Sequence, residues 1–148
     1  MNENLFRLVY CSRNMIPALH GDAAAEVGQI LETSRANNAR AGVTGALLYS
    51  DGCFAQVLEG GLDAVERTFE RIQCDNRHGD VVVLQAGPAD GRLFGVWNMA
   101  LAETADPAKA SAILSRALAM SDTETGRGAD VVSLLDSLVR GEAEWAGA

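Results

Sequence analysis

The chain predicts an α+β fold of the ferredoxin-like kind, β-α-β-β-α-β plus a fifth strand. Both helices lie on one face of an open sheet, and a two-helix extension follows at the C-terminus. Three observations predict it. Runs of strand formers recur at residues 5–11, 43–49, 53–59 and 80–86. Two stretches between them carry apolar residues at helical spacing. Ser50-Asp51-Gly52 joins the two middle runs with a hairpin signal, which makes them antiparallel neighbours.

The first strand, residues 5–11, alternates. Phe6, Leu8 and Tyr10 point to one face, and Leu5, Arg7, Val9 and Cys11 to the other. Tyr10 either sits on a core face with a hydroxyl in need of a partner, or reaches solvent at the strand end. Residues 12–21 read as a loop, with Pro17 and Gly21 as punctuation, and Asp22 can cap the helix that follows. Val27, Ile30, Leu31, Ser34 and Asn38 form one stripe of that helix. The stripe turns polar in its last two turns while still facing inward. One of the adjacent pair Asn37 and Asn38 can serve as a C-cap while the other faces in.

Gly42 opens the second strand, residues 43–49. The return strand, residues 53–59, places Phe54, Gln56 and Leu58 on one face. A glutamine between two large apolar neighbours on a core face must bond something polar there, or else that face is solvated. Leu62, Val65, Phe69 and Ile72 mark the second helix. Arg71 and Asp75 are four apart and able to pair on it, and His78 follows just past its end. Residues 80–86 are a Val-rich strand. Residues 93–101 read as a last strand with Leu93, Gly95, Trp97, Met99 and Leu101 on one face. Asp106-Pro107 opens a further helix, residues 121–128 link it onward, and Val131, Leu134, Leu135, Leu138 and Val139 mark a last short one. Both are amphipathic and would be marginal alone, so they need the sheet's other face, each other or a second chain.

At 148 residues the chain suits one domain with a short appendage. Its net charge is −8, with no basic run, which argues against nucleic acid or an anionic membrane as a direct partner. Half of that charge lies in the last third, where four basic residues face eight acids between Glu103 and Glu144. Cys11, Cys53 and Cys74 are odd in number and lack C-x-x-C spacing, which suits a reducing cytoplasm and no metal site. The first residues, M-N-E-N-L-F-R-L, lack a signal peptide's apolar core, and no apolar run reaches bilayer length. There is no G-x-S-x-G, P-loop, G-x-G-x-x-G or metal-ligand cluster. The chain offers amide and phenol groups on core faces instead. These suit holding a planar, polar-edged ligand rather than acid–base turnover, so an enzyme is not suggested.

Five segments together resemble the BLUF domain, a blue-light sensor that uses flavin (FAD). They are L-V-Y-C-S around Tyr10, S-R-A-N-N at 34–38, the run at 42–60, R-I-Q-C-D-N-R-H at 71–78, and R-L-F-G-V-W-N-M at 92–99. The resemblance implies a flavin-binding photosensory domain over residues 1–101 and a helical extension over 102–148 for signalling or dimerisation. It implies FAD, with FMN or riboflavin as possible substitutes, held non-covalently. Tyr10 resembles the tyrosine that gives an electron and proton to the photoexcited flavin. Gln56 resembles the glutamine between that tyrosine and the flavin's N5/O4 edge. Asn38 resembles the asparagine on the C4 carbonyl and N3 edge, with Ser34 and Asn37 beside it. Arg71 and Asp75 resemble a pair at the pyrimidine end, which His78 also approaches. Val27 and Ile30 would line the dimethylbenzene end. Trp97 and Met99 resemble the residues that sense the glutamine's state.

The loop at 12–21 matches that family poorly, and residues 102–148 match no output enzyme. The implied protein is a short cytoplasmic photoreceptor that signals to a separate protein and forms a homo-dimer or higher oligomer. Two other readings remain: a light-independent flavin-binding or adaptor module, and an acylphosphatase-like hydrolase using Arg71 and Asn38. The last lacks an anion loop near the first strand.

Overall fold

The computed structural model describes residues 5–16, 23–49, 53–102, 131, 132 and 135. Its elements run β1 (Leu5–Asn14), α1 (Ala23–Ala41), β2 (Thr44–Tyr49), β3 (Cys53–Gly61), α2 (Leu62–Gln73), β4 (His78–Pro88) and β5 (Ala100–Ala102). The sheet order is β4-β1-β3-β2-β5. β1 pairs antiparallel with both β3 and β4, β2 pairs antiparallel with β3, and β5 lies parallel to β2. This is the expected split β-α-β arrangement with an added edge strand.

The two faces of the sheet carry separate cores. Leu8, Tyr10, Leu47, Phe54 and Leu58 meet Val27, Ile30 and Leu31 of α1 and Val65 of α2 on one face. Val9, Cys11, Ala46, Leu48, Ala55 and Val57 build the other, together with Phe94 and the helical residues Val131 and Leu135. So at least that part of the extension covers the face that α1 and α2 leave bare. Each large side chain buried this way contributes roughly 1.5–3 kcal/mol.

α1 ends at Gly42, whose φ of 72° is the left-handed conformation a glycine adopts without strain. The Val43 N–H then bonds back to the Asn38 carbonyl at 2.9 Å, closing the last turn. Gly42 therefore ends the helix, and neither asparagine has to. Gly45 is required for close approach, because a Cβ there would lie 1.9 Å from the Val57 carbonyl oxygen.

Two expectations change. The last strand is only Ala100–Ala102, and residues 89–99 are irregular. Their backbone groups bond to side chains and to the β2 edge instead of a ladder. Leu93 and Phe94 N–H go to Glu59, Asn98 C=O takes a bond from Asn38, and Met99 C=O takes one from Arg35. Consequently Trp97 and Met99 do not share a face: Trp97 packs on the extension side and Met99 on the helix side. The first strand also runs three residues further than expected, to Asn14, because β4 starts early enough to pair with it. The hairpin turn at 50–52, the loop at 17–21, the Asp22 cap, and the extension except for residues 102, 131, 132 and 135 lie outside the described residues.

Candidate functional site

The register of β1 against β3 sets Tyr10 directly opposite Gln56. Both side chains lie on the face that carries the helices, which decides between the alternatives that alternation left open. The Tyr10 hydroxyl is fully buried and donates to Gln56 Oε1. Burial raises the phenol's pKa well above its ordinary value, with the neighbouring Cys11 and Asp75 acting in the same direction, so Tyr10 stays protonated. The Gln56 Nε2 amide points the other way, to the Met99 sulfur at 3.2 Å. A thioether is a weak acceptor, so this half of the amide is held loosely.

Asn38 comes in from the last turn of α1 and is 1% exposed. Its Nδ2 donates to the Asn98 carbonyl at 2.8 Å. Its Oδ1 is buried and finds no partner among the described residues. Leaving such a group unpaired costs about 1–3 kcal/mol. Asn38 also lines a cleft of about 570 Å³, counting the open mouth, between α1 and α2. Ser34, Asn37, Asn38 and Gln56 line it from one side, and Arg71, Asp75, Arg77 and His78 from the other. Ser34 and Asn37 are half-buried, and Asn37 Oδ1 accepts from Arg40. Among the candidates, Tyr10, Gln56, Asn38 and Met99 thus meet in one cluster, whereas Trp97 stands on the sheet's opposite face.

The expected Arg71–Asp75 pair does not form. α2 ends at Gln73 with Cys74 as its cap, so Asp75 leaves the helical register. A tight turn follows, in which Asp75 Oδ1 accepts the Arg77 backbone N–H at 3.0 Å. The Arg77 guanidinium clasps the same carboxylate at 2.6 Å and reaches Glu26 at 3.0 Å. Burial pushes the Asp75 carboxyl up, but the hydrogen bonds and charge of Arg77 more than cancel this and leave it low. Arg77 is held correspondingly firmly in its charged form, first by its hydrogen bonds to Asp75. Arg71 is exposed and bonds weakly to its own helix, so it stands at the cleft rim without a carboxylate. Periodicity missed Arg77 because the i,i+2 relation to Asp75 is a turn pattern; the D-N-R run just past a helix was the available signal.

His78 is buried against Phe54, with ring centroids 4.5 Å apart, and faces the Tyr10 ring edge-on. Ser12 Oγ lies 2.8 Å from its Nδ1. Burial pulls its pKa down to about 4, Asp75 opposing and Arg77 assisting, so the ring is neutral near pH 7.

The BLUF family model, described as sensors of blue-light using FAD, matches residues 5–100. The chain belongs to the BLUF family. Photoactivated adenylate cyclase subunit beta of Euglena gracilis is 36% identical to it over 97 residues, 65% of this chain and 11% of that protein. Subunit alpha from the same organism is 36% identical over 95 residues, 64% of this chain and 9% of that protein. The chain therefore spans only about a tenth of these relatives. Among solved structures, the dark state of the BLUF protein BlrB superposes with a TM-score of 0.72 at 26% identity, covering 93% of this chain and 98% of that one. The photo-activated state of BlsA gives 0.71 at 27% identity, covering 91% and 94%. No helix among the described residues of this BLUF chain is long and apolar enough to cross a membrane.

Proposed function

We propose that this BLUF protein is a blue-light photoreceptor that binds FAD in the cleft between α1 and α2 and switches through Gln56. The observation that carries this is the buried, unpartnered Oδ1 of Asn38, a residue that lines the cleft together with Gln56. A ring edge of alternating carbonyls and N–H groups matches that donor-and-acceptor set. Asn38 Oδ1 asks for a donor, while Arg77, Asn37, Ser34 and His78 offer bonds toward the other end. Arg71, at the rim, suits the more exposed parts of the ligand, and Asp75 holds Arg77 in place.

When bound, the flavin supplies the light-absorbing group and the electron acceptor. Tyr10 gives up one electron, and its hydroxyl proton moves first to Gln56 Oε1, the atom it already bonds. Both return to Tyr10, so no net reaction occurs. Gln56 ends the cycle rotated, tautomerised or both, because Met99 sulfur holds its Nε2 only weakly. Met99 and the backbone of residues 97–99 are then placed to pass the change onward, Trp97 carrying it to the other face. Val131 and Leu135 pack on that face, and residues 102–148 serve as the extension that reaches a separate signalling protein or a second copy of the chain. The adenylate cyclase relatives support a signalling output of this kind.

Purified protein should be yellow, and blue light should shift its flavin band reversibly to the red. Tyr10→Phe and Gln56→Leu should each keep flavin and lose the shift. A normal shift in either variant overturns the assigned roles. A protein that binds flavin without any light response would instead be a light-independent flavin module.

A further inference from the structure

Glu59 is fully buried, on the sheet face opposite Gln56, in a stripe otherwise made of Cys53, Ala55 and Val57. Its oxygens are spoken for several times over. Oε2 accepts from Arg7 Nε and Nη2, at 3.1 and 2.9 Å, and from the Leu93 N–H at 2.8 Å. Oε1 takes the Phe94 N–H at 3.0 Å and the Thr44 hydroxyl at 3.2 Å. Two arginines close the cluster from either side. Arg7 also donates to the Gly91 carbonyl, and Arg92 reaches Thr44 Oγ1 at 2.8 Å, the Glu59 carbonyl at 3.1 Å and the Gly42 carbonyl at 2.9 Å. Charge-assisted bonds of this kind are roughly twice as strong as neutral ones.

The irregular segment 89–99 is thus pinned very unequally. Residues 91–94 are clamped by this carboxylate and its arginines. Residues 97–99 are held by single bonds: Trp97 N–H to the Phe94 carbonyl at 3.0 Å, Gly45 N–H to the Trp97 carbonyl at 3.2 Å, Asn38 to Asn98, the Arg35 guanidinium to the Met99 carbonyl at 2.9 Å, and the weak Gln56–Met99 contact.

We propose that Glu59 is a positioning residue for the light response: its carboxylate fixes residues 91–94 as the immobile end from which Met99 is set against Gln56. A change at Gln56 then frees residues 97–99 alone, and the motion is directed rather than spread through the loop. The inference rests on the reading of Gln56 as the moving part.

The test is amide hydrogen exchange on the full flavin-loaded chain, dark and under blue light. In the wild type, Leu93 and Phe94 should stay protected in both states, while light speeds exchange at 97–99. Glu59→Gln keeps the shape and removes the charge. It should speed dark exchange at residues 93–99 about tenfold, with little further increase in light. Val65→Ala, which weakens the core under α2, should loosen the chain without that local pattern. Tyr10→Phe should keep the wild-type dark pattern and lose the light increment. Wild-type protection at 93–99 in Glu59→Gln, or loosening spread as in Val65→Ala, overturns the role of Glu59. A wild type with no light increment overturns the reading of Gln56, while the dark comparison still decides Glu59. If Glu59→Gln does not fold, Arg92→Met should give a smaller change at the same residues, and no change there contradicts the proposal.

Discussion

Two buried polar clusters lie on opposite faces of the same strand, three residues apart, and they are built to different standards. Around Glu59 both carboxylate oxygens are satisfied by protein groups. Around Gln56 one amide oxygen of Asn38 has no partner among the described residues, and one amide N–H makes do with a thioether. A closed network is structure complete in itself. An open one holds free energy in reserve for a ligand and leaves a side chain able to rearrange. Under the proposed function, the contrast separates what would keep this fold in place from what would make it respond.

The largest effect should come from breaking the closed cluster. Glu59→Leu strands Arg7 and two backbone N–H groups, and is expected to cost about 3–5 kcal/mol of stability in urea unfolding. A loss below about 1 kcal/mol would mean that the cluster is ornamental.

Acid should act next, through the open side. His78 stands near 4 when folded and near 6.5 when unfolded, so only the unfolded chain takes up its proton between those values. Stability from this residue is whole above pH 6.5 and declines as pH falls toward 4, by roughly 3 kcal/mol. His78→Gln should remove that part of the slope when urea midpoints are compared at several pH values. An unchanged slope in the variant would place the acid sensitivity elsewhere.

The two arginines at the cleft should then differ. Arg77→Met loses the bonds to Asp75 and Glu26 and should cost about 1–2 kcal/mol. Arg71→Met, at an exposed rim position, should stay within about 0.5 kcal/mol. Equal effects would contradict the reassigned pair. Asn38→Leu in flavin-free protein should also change stability little, by less than about 1 kcal/mol, because the bond lost to Asn98 is offset by removing a buried, unpartnered oxygen.

How much of this could be read in advance follows from the kind of interaction involved. Alternation put Tyr10 on the face of Phe6 and Leu8 and Gln56 on the face of Phe54 and Leu58, without deciding that those faces were core. The helical stripe put Asn38 inward. Both depend on local geometry alone. The family resemblance then grouped them around a flavin. What escaped depends on partners distant in sequence or on turns. Arg77 replaced Arg71 because α2 stops at Gln73. Residues 93–99 alternate like a strand but are held by Glu59, Asn38 and Arg35, which periodicity cannot see. Glu59 itself was visible as a carboxylate in an apolar stripe, directly opposite Arg7 once the strand register is known.

The most direct measurement is the stability that FAD adds to wild-type protein and to Asn38→Leu, by unfolding with and without ligand in the dark. At a hundredfold excess over its dissociation constant, FAD should stabilise the wild type by about 2.7 kcal/mol. At the same concentration Asn38→Leu should gain less by about 1.4 kcal/mol or more, a tenfold or greater loss of affinity. Equal stabilisation of the two proteins, or none of the wild type, would contradict the claim that the open cluster is completed by flavin.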